Sequence, residues 1–221
     1  MPRASWPVTL RHGPVTLRPV RTRDEPAWSE IRQRGFAWFS QWDSTRPPDT
    51  PERPQSFAQT VREYTARARR GTMLPWAVDY RPGEGAKPVF SGQVTISGIA
   101  YGSACWGQIG YWIDPRWAGR GIIPLAVAMA ADYCFGTLHL HRLEVAIRPE
   151  NTKSLAVVRK LGFRDEGLRP RYMHVRGEWR DHEMFVLLAE DVPDGVVPRY
   201  ENGRRSADTP AEVGHTGVRF S

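Results

Sequence analysis

The sequence predicts an α/β fold in which strands and helices follow one another in mixed order. Three observations support this prediction. The chain has 221 residues and is 40% hydrophobic, which is enough for one compact domain with its own core. Short segments typical of strands are interspersed with longer segments whose apolar residues recur at helical spacing. Stretches rich in glycine and proline separate these segments and mark turns.

The predicted domain spans residues 1–190. From Asp191 onward the chain is rich in proline, glycine and charged residues and has few candidates for a core. We therefore expect residues 191–221 to form an extended, weakly ordered tail.

The first third of the domain is predicted to contain one strand and two helices. Val15–Pro19 alternates apolar and polar residues, as a short strand does. Thr22–Glu25 has the spacing of a capping box, with threonine as N-cap and glutamate three residues later, which predicts a helix start. A second helix is expected over Ser56–Arg70, because its apolar residues fall on one stripe.

Strands are predicted to dominate the middle of the chain. Leu74–Tyr80 and Val89–Ile99 flank a loop that contains a proline and two glycines, so we expect them to form a hairpin. Trp106–Ile113 is predicted to be the next strand, which ends at the break that begins with Asp114.

The last third is predicted to alternate helices and strands. An apolar helix is expected from Ile122, where Pro124 falls in the first turn and is therefore tolerated. Arg142–Ile147 is predicted to be a strand and Asn151–Leu161 a helix that Gly162 ends. The final strands are expected over Phe163–Leu168 and Trp179–Leu188.

Several classes of protein are unlike this sequence. The longest apolar run, Ile122–Phe135, is shorter than a membrane-spanning helix and contains Asp132, so no membrane association is expected. The first six residues lack an apolar signal region. The two cysteines, Cys105 and Cys134, lie far apart without metal-ligand spacing. We therefore expect a cytoplasmic protein without disulfides and without a metal.

The basic charge leaves two interpretations open. The net charge is +7, and only three of the 31 basic residues are lysines. The excess of arginine is typical of a GC-rich genome, and it also suits the binding of phosphates or of an anionic particle such as a ribosome. No nucleic-acid-binding motif accompanies the charge, so sequence-specific nucleic-acid binding is not expected.

The segment from Gly110 to Ile122 carries the strongest chemical signal. A predicted strand leads into a turn with two glycines and then into an apolar helix. Glycines let backbone amides approach a ligand closely, and the helix start adds unpaired N–H groups and a positive dipole end. With the charges of Arg116 and Arg120, this turn is typical of a pyrophosphate cradle. It is neither a Walker A loop nor a Gly-x-Gly-x-x-Gly motif.

Two motifs resemble those of the GNAT superfamily of acetyl-CoA-dependent N-acetyltransferases. Arg116-x-x-Gly119-Arg120-Gly121 matches the family pattern Arg/Gln-x-x-Gly-x-Gly/Ala. The sequence Asn151-Thr152-Lys153-Ser154, followed by Leu161-Gly162-Phe163 and Glu166-Gly167, is similar in order and spacing to the ribosomal-protein-alanine N-acetyltransferases, the RimJ type. The resemblance covers about residues 15–189 and includes the aromatic segment 38–43.

The resemblance implies a twisted mixed sheet with helices on both faces and two central strands, Trp106–Ile113 and Arg142–Ile147, that splay apart. Acetyl-CoA would enter the splay, with its pantetheine on the backbone edge of the first strand and its pyrophosphate on the amides of residues 117–121. The implied coenzyme-binding residues are Tyr111, Trp112, Ile113, Arg116, Trp117, Ala118, Gly119, Arg120, Gly121, Asn151 and Ser154.

The resemblance also implies direct transfer of the acetyl group, with the Ser154 hydroxyl protonating the departing thiolate. The local alternatives are that Asn151 is only a helix N-cap and that Ser154 makes only a first-turn hydrogen bond. The general base stays open, because the positions at which relatives carry a carboxylate hold none here. The remaining candidates are Asp43, Glu144, His174 and Asp181.

The acceptor is expected to be an amine that binds beside Trp38, Trp42 and Asp43, although these aromatic residues are equally suited to a hydrophobic core. An α-amine has a pKa of about 8 and a lysine amine about 10.4, so an enzyme without an evident base suits α-amines better. The predicted partner is therefore a protein N-terminus, with ribosomal proteins as candidates. A small-molecule amine and a non-catalytic acyl-CoA-binding module are the alternatives, and a homodimer is a further candidate assembly.

Overall fold

The computed structural model describes residues 6–50 and 55–208. Its centre is one eight-stranded mixed sheet that does not close on itself. The strands in chain order are β1 Leu10–His12, β2 Val15–Pro19, β3 Leu74–Tyr80, β4 Val89–Ala100, β5 Trp106–Ile113, β6 Arg142–Ile147, β7 Arg164–Val175 and β8 Glu178–Leu188.

The strand order is β1-β2-β3-β4-β5-β6-β8-β7. Neighbouring strands are antiparallel, with one exception: β5 and β6 are parallel. A parallel pair requires a crossover connection, which one long helix supplies here. This helix, Ile122–Gly136, connects β5 to β6 at the middle of the sheet, and most of its residues are buried.

The described residues form six α-helices, which lie on both sides of the sheet. They are α1 Glu25–Arg34, α2 Phe36–Phe39, α3 Phe57–Arg69, α4 Ile122–Gly136, α5 Thr152–Leu161 and α6 Val196–Asp208. Alternation along β3 separates the faces: Trp76 meets Tyr133 of α4 edge to face, with ring centroids 5.7 Å apart, while Ala77 packs with Val61 of α3. The predicted mixed sheet with helices on both faces is confirmed.

Helix α4 forms the centre of the core. Residues 122–131 are all buried, because β2, β4 and β5 cover one side and α5 and α6 cover the other. A helix that is apolar on all sides fits only such a position. Pro124 lies in its first turn as predicted, where its missing N–H leaves no hydrogen bond unmade.

The prediction of an extended tail from Asp191 onward is wrong where the chain forms a sixth helix. Residues 196–208 form α6, whose Val196, Val197 and Tyr200 are buried against the core. The carboxylate of Asp132 accepts hydrogen bonds from the amides of Val196 at 2.6 Å and Val197 at 3.1 Å, and it thereby caps the helix start. Residues 209–221 lie outside the described part of the chain.

Most other elements agree with the sequence prediction within one or two residues. The capping box predicted at Thr22 is wrong: Thr22–Asp24 is a 3-10 turn in which the Asp24 carboxylate accepts from the amide of Arg21, and α1 starts at Glu25. The strand predicted to stop at Leu168 continues to Val175 as β7, because β8 pairs with it along that length.

Among the described residues, no helix is long and apolar enough to cross a membrane. In the same part of the chain, no three histidine, cysteine or acidic side chains lie together as a metal site requires. Cys105 and Cys134 are both free thiols.

Candidate active site

The parallel strands β5 and β6 are joined over only three residue pairs. These pairs are Trp106 with Arg142, Gly107 with Leu143 and Gln108 with Glu144. Beyond Gln108 the strands separate, so residues 109–113 and 145–147 face each other without ladder hydrogen bonds in the described structure. The splay that the sequence resemblance implied is therefore present, and it leaves backbone groups of β5 free to bind a ligand.

A cleft of about 610 Å³ opens beside the separated strands. This volume is in the range of small-molecule and cofactor sites. Twelve of the predicted site residues line it: Trp38, Trp42, Asp43, Tyr111, Trp112, Ile113, Trp117, Ala118, Gly119, Gly121, Asn151 and Ser154. Arg116 and Arg120 are not among its lining residues.

The turn between β5 and α4 presents backbone N–H groups to this cleft. Gly119 and Gly121 have φ angles of +78° and +75°, which glycine adopts without strain. No side chain caps the start of α4, so its first amides are available. The amides of Trp117 and Ala118 are already used within a 3-10 turn, at 2.9 and 3.3 Å from their acceptors. The free amides therefore start at Gly119.

A buried carboxylate, that of Asp114, stabilises the start of this turn. Asp114 has no exposed side-chain surface, and it accepts from Arg116 Nε at 2.9 Å and Nη2 at 2.7 Å and from Arg34 at 3.0 Å. Burial alone would raise the pKa of Asp114, but the hydrogen bonds and charge of Arg116, together with the charge of Arg34, lower it. Asp114 thus links the end of α1, through Arg34, to the turn, through Arg116.

Arg120 lies on the outside of the turn. Its guanidinium stacks over the Trp117 ring at 5.0 Å from the centroid. Trp117 in turn contacts Tyr80 of β3, with ring centroids 5.3 Å apart. The side chain of Arg120 therefore stiffens the turn by cation–π packing in this structure.

Two hydroxyl groups meet where α5 begins. Asn151 is the N-cap of α5, and its Oδ1 accepts from the Ser154 amide at 3.1 Å, which confirms the local prediction for Asn151. Tyr111 Oη lies 2.7 Å from Ser154 Oγ. Burial raises the pKa of Tyr111, and the hydrogen bond to Ser154 opposes this only partly. The phenol therefore keeps its proton at neutral pH.

Aromatic and cationic side chains form the opposite wall of the cleft. Lys153 Nζ lies 3.7 Å from the ring centroid of Trp38, and the Arg148 guanidinium lies 5.5 Å from that of Trp42. Asp43 forms an ion pair with Arg32, so its charge is already neutralised. Phe39, between the two tryptophans in sequence, is buried and packs on Trp112.

The candidate bases outside this wall do not reach the cleft. Glu144 accepts from Arg142 Nε at 2.7 Å. His174 Nδ1 lies 2.7 Å from Thr45 Oγ1. Asp181 accepts from the amide of Arg171 at 2.7 Å and is exposed. These three side chains support the structure rather than line the site.

One histidine that the sequence prediction missed does face the separated strands. His182 on β8 is buried and lines a smaller cleft, of about 180 Å³, together with Gly110, Tyr111 and Ser154. Alternation along β8 places it on the same face as Met184, which pairs with Ala146 of β6. That alternation was the available signal, but the position of β8 next to β6 was not known from sequence.

A comparison with known families identifies the fold. Residues 15–164 match the family model described as Acetyltransferase (GNAT) domain. The chain belongs to the GNAT acetyltransferase family. The structure of Mycobacterium smegmatis RimJ in complex with CoA-disulfide superposes with a TM-score of 0.80 and 37% identity over 90% of this chain and 96% of that one. This GNAT chain is therefore of the RimJ type.

Curated relatives match over shorter lengths. The uS5-alanine N-acetyltransferase of Escherichia coli (strain K12) is 34% identical over 106 residues, 47% of this chain and 54% of its own. The probable N-acetyltransferase YjcK of Bacillus subtilis (strain 168) is 36% identical over 100 residues, 45% of this chain and 55% of its own. The GNAT chain thus spans about half the length of the curated relatives it matches.

Proposed function

We propose that this protein transfers the acetyl group of acetyl-CoA to the α-amine of a protein N-terminus, with a ribosomal protein as the candidate acceptor. The observation that carries the proposal is the junction of two features: the strands β5 and β6 separate next to a turn whose amides are free. An extended ligand with a diphosphate at one end and a thioester at the other fits that junction.

The proposed position of acetyl-CoA follows from the groups that are unpaired. The diphosphate would accept hydrogen bonds from the amides of Gly119 to Gly121 and from the start of α4. The pantetheine amides would pair with the free edge of β5 at Tyr111 to Ile113. The thioester would then lie near Ser154, where the two clefts share residues.

The proposed reaction is direct transfer in a ternary complex. The amine nitrogen attacks the thioester carbonyl carbon, an N–C bond forms, and the C–S bond breaks with its electron pair on sulfur. The Ser154 hydroxyl, itself hydrogen-bonded to the phenol of Tyr111, protonates the leaving thiolate. Correct placement of the amine beside the thioester contributes much of the acceleration.

The chemistry of the wall favours a peptide over a polyamine. Lys153 and Lys160 line the larger cleft and Arg148 lines the smaller one, while Asp43 is already paired with Arg32. A polycationic acceptor would meet like charges there, whereas one terminal amine followed by a peptide backbone would not. A ribosomal-protein acceptor would also place the enzyme in the cytoplasm, and the name of the Escherichia coli relative, a uS5-alanine N-acetyltransferase, supports such an acceptor.

The test is thiol release from acetyl-CoA with matched acceptors. Two peptides share one sequence that contains an internal lysine: the first has a free N-terminal alanine, and the control has a blocked N-terminus. The third acceptor is a polyamine. We expect release with the free N-terminus and little with the other two. Exclusive use of the polyamine would replace the peptide acceptor by a small amine. Binding of acetyl-CoA without transfer to any amine would leave only a binding module.

A further inference from the structure

The imidazole of His182 is placed to act on a group that enters between the separated strands. The residue is 4% exposed and lies in the middle of β8. It lines the smaller cleft together with Ile109 and Gly110 of β5, Asn151, and Ser154. Ser154 and Asn151 also line the larger cleft, so the cleft that His182 lines adjoins the proposed thioester position.

The hydrogen bonding of His182 determines its tautomer. Nδ1 lies 3.0 Å from the backbone oxygen of Arg180. A carbonyl oxygen only accepts hydrogen bonds, so Nδ1 carries the proton and Nε2 has a free lone pair. Within the described residues, Nε2 makes no hydrogen bond of its own. The neutral imidazole therefore offers one unused acceptor beside the cleft.

The surroundings of His182 keep it neutral near pH 7. Burial lowers its pKa, the hydrogen bond to Arg180 opposes that effect, and the nearby Arg148 lowers the pKa further. Asp181 on the same strand and Glu150 before α5 raise it by smaller amounts. From β7, Arg169 pairs in register with His182, and the Tyr172 ring contacts the imidazole edge to face at 5.9 Å.

We propose that His182 is the general base of this site, with Nε2 accepting the proton that the attacking amine loses. The inference rests on the proposed acetyl transfer. As the N–C bond forms, the amine nitrogen becomes positively charged and therefore more acidic, so a weak base suffices. The proton passes to Nε2 and then to solvent. The thiolate takes its proton from the Ser154 hydroxyl, and solvent returns a proton to Ser154 through the phenol of Tyr111, so that no net proton is gained or lost. The products are the acetylated amine and the free thiol.

The alternative bases are held elsewhere. Glu144 is engaged by Arg142, and His174 is engaged by Thr45. Asp43 lines the larger cleft but pairs with Arg32. Among the candidates in the described structure, His182 therefore combines a free acceptor nitrogen with a place in the cleft that residues of β5 and β6 also line.

The test compares two buried histidines in the full chain. His182→Gln removes the basic nitrogen and keeps a side chain of similar length, and His174→Gln is the matched control outside both clefts. With the free-alanine peptide at pH 7, we expect kcat of His182→Gln to fall by about 100-fold or more. Its Kd for acetyl-CoA should be unchanged, and His174→Gln should retain wild-type kcat.

A pH profile separates a base from a structural support. With an aminooxy acceptor, whose nitrogen stays uncharged, wild-type kcat should fall on the acid side with a midpoint below about 6.5, the ordinary histidine pKa. In His182→Gln this limb should be absent, and added imidazole should restore activity to His182→Gly. The fall of wild-type kcat at acidic pH tests the inference even if a variant does not fold.

Three results would overturn the inference while acetyl transfer stands: full kcat in His182→Gln, an equal loss in His174→Gln, or a wild-type profile without the acid limb. An inactive wild type with every amine would instead remove the proposed function itself, and the base with it. The two failures are therefore distinguishable.

Discussion

At the scale of single residues, the site depends on two hydroxyls that come from elements 43 positions apart in the chain. Tyr111 extends from β5 and Ser154 from the first turn of α5. Because burial raises the pKa of Tyr111, the phenol keeps its proton and can donate to Ser154. In the proposed reaction Ser154 would donate its own proton to the thiolate, and the pair would work as a short proton chain.

Removing either hydroxyl should affect the chemical step more than binding. We expect Ser154→Ala to lower kcat by about 100-fold and Tyr111→Phe by about 10-fold, with little change in acetyl-CoA Kd, because the acid donates only as the C–S bond breaks. Steady-state kinetics and calorimetry measure the two quantities. Tyr101→Phe, which removes a hydroxyl bonded to the Gly71 carbonyl, is the control. Equal kcat in Ser154→Ala and wild type would remove its role as acid.

The buried carboxylate of Asp114 should make stability depend on pH. Asp114→Asn leaves Arg116 and Arg34 without their buried partner, and we expect a loss of about 1–3 kcal/mol in the free energy of unfolding at pH 7. The folded-state pKa of Asp114 is lowered, so this stabilisation is complete above the unfolded value of about 3.9 and is lost as pH falls through the folded value.

Urea unfolding at neutral pH and at about pH 3 measures this difference. The difference in free energy of unfolding between wild type and Asp114→Asn should become smaller at the lower pH. Asp194→Asn, at an exposed aspartate, should show no loss at either pH. If this difference in free energy of unfolding were the same at both pH values, Asp114 would not be the charged centre of the turn.

At the scale of elements, the sequence predicted those whose signals are local. Strands β3, β5 and β6 and the start of α4 were predicted with the bounds that the structure has, because alternation, helical spacing and glycine punctuation mark them. Helix α6 was missed, since its stability depends on distant parts of the fold. Asp132, 64 residues earlier, caps it, and α4 covers its apolar side. Its own sequence contains Gly203 in the middle of the helix, and glycine there lowers helix propensity.

Helix α6 also contacts the turn between β5 and α4, where Tyr200 Oη donates to the carbonyl of Gly121 at 3.3 Å, and glycine substitutions test this contact. A Cβ added at Gly121 would lie 2.7 Å from Tyr200 Oη, whereas one at Gly119 meets nothing within 4 Å. Both positions have positive φ, so each alanine should cost about 1–2 kcal/mol in strain. We expect Gly121→Ala to destabilise the protein more than Gly119→Ala and to raise the acetyl-CoA Kd.

The double variant Gly121→Ala with Tyr200→Phe identifies the cause. Loss of the phenolic oxygen should restore part of the stability that Gly121→Ala loses, while the backbone strain remains. Thermal unfolding and acetyl-CoA titration measure both effects. Identical losses in Gly119→Ala and Gly121→Ala would show that α6 does not constrain the turn.

At the scale of the whole molecule, motif spacing predicted the cleft better than it predicted the side chains that work in it. The turn at Gly119 and Gly121, the separated part of β5 and the start of α5 all line one cleft, as expected. Arg116 and Arg120 instead stiffen the turn, through Asp114 and Trp117. His182 reaches the site only because β8 pairs with β6, a contact between distant segments that no local pattern reveals.

The three-pair junction of β5 and β6 has a consequence for the sheet itself. Five strands lie on one side of it and three on the other, and the backbone bonds that would join them further along are missing. A pantetheine chain in that gap would supply amides where the ladder lacks them. The coenzyme would then act as a temporary ninth strand, consumed and replaced at each turnover, and the sheet would be continuous only while its substrate is bound.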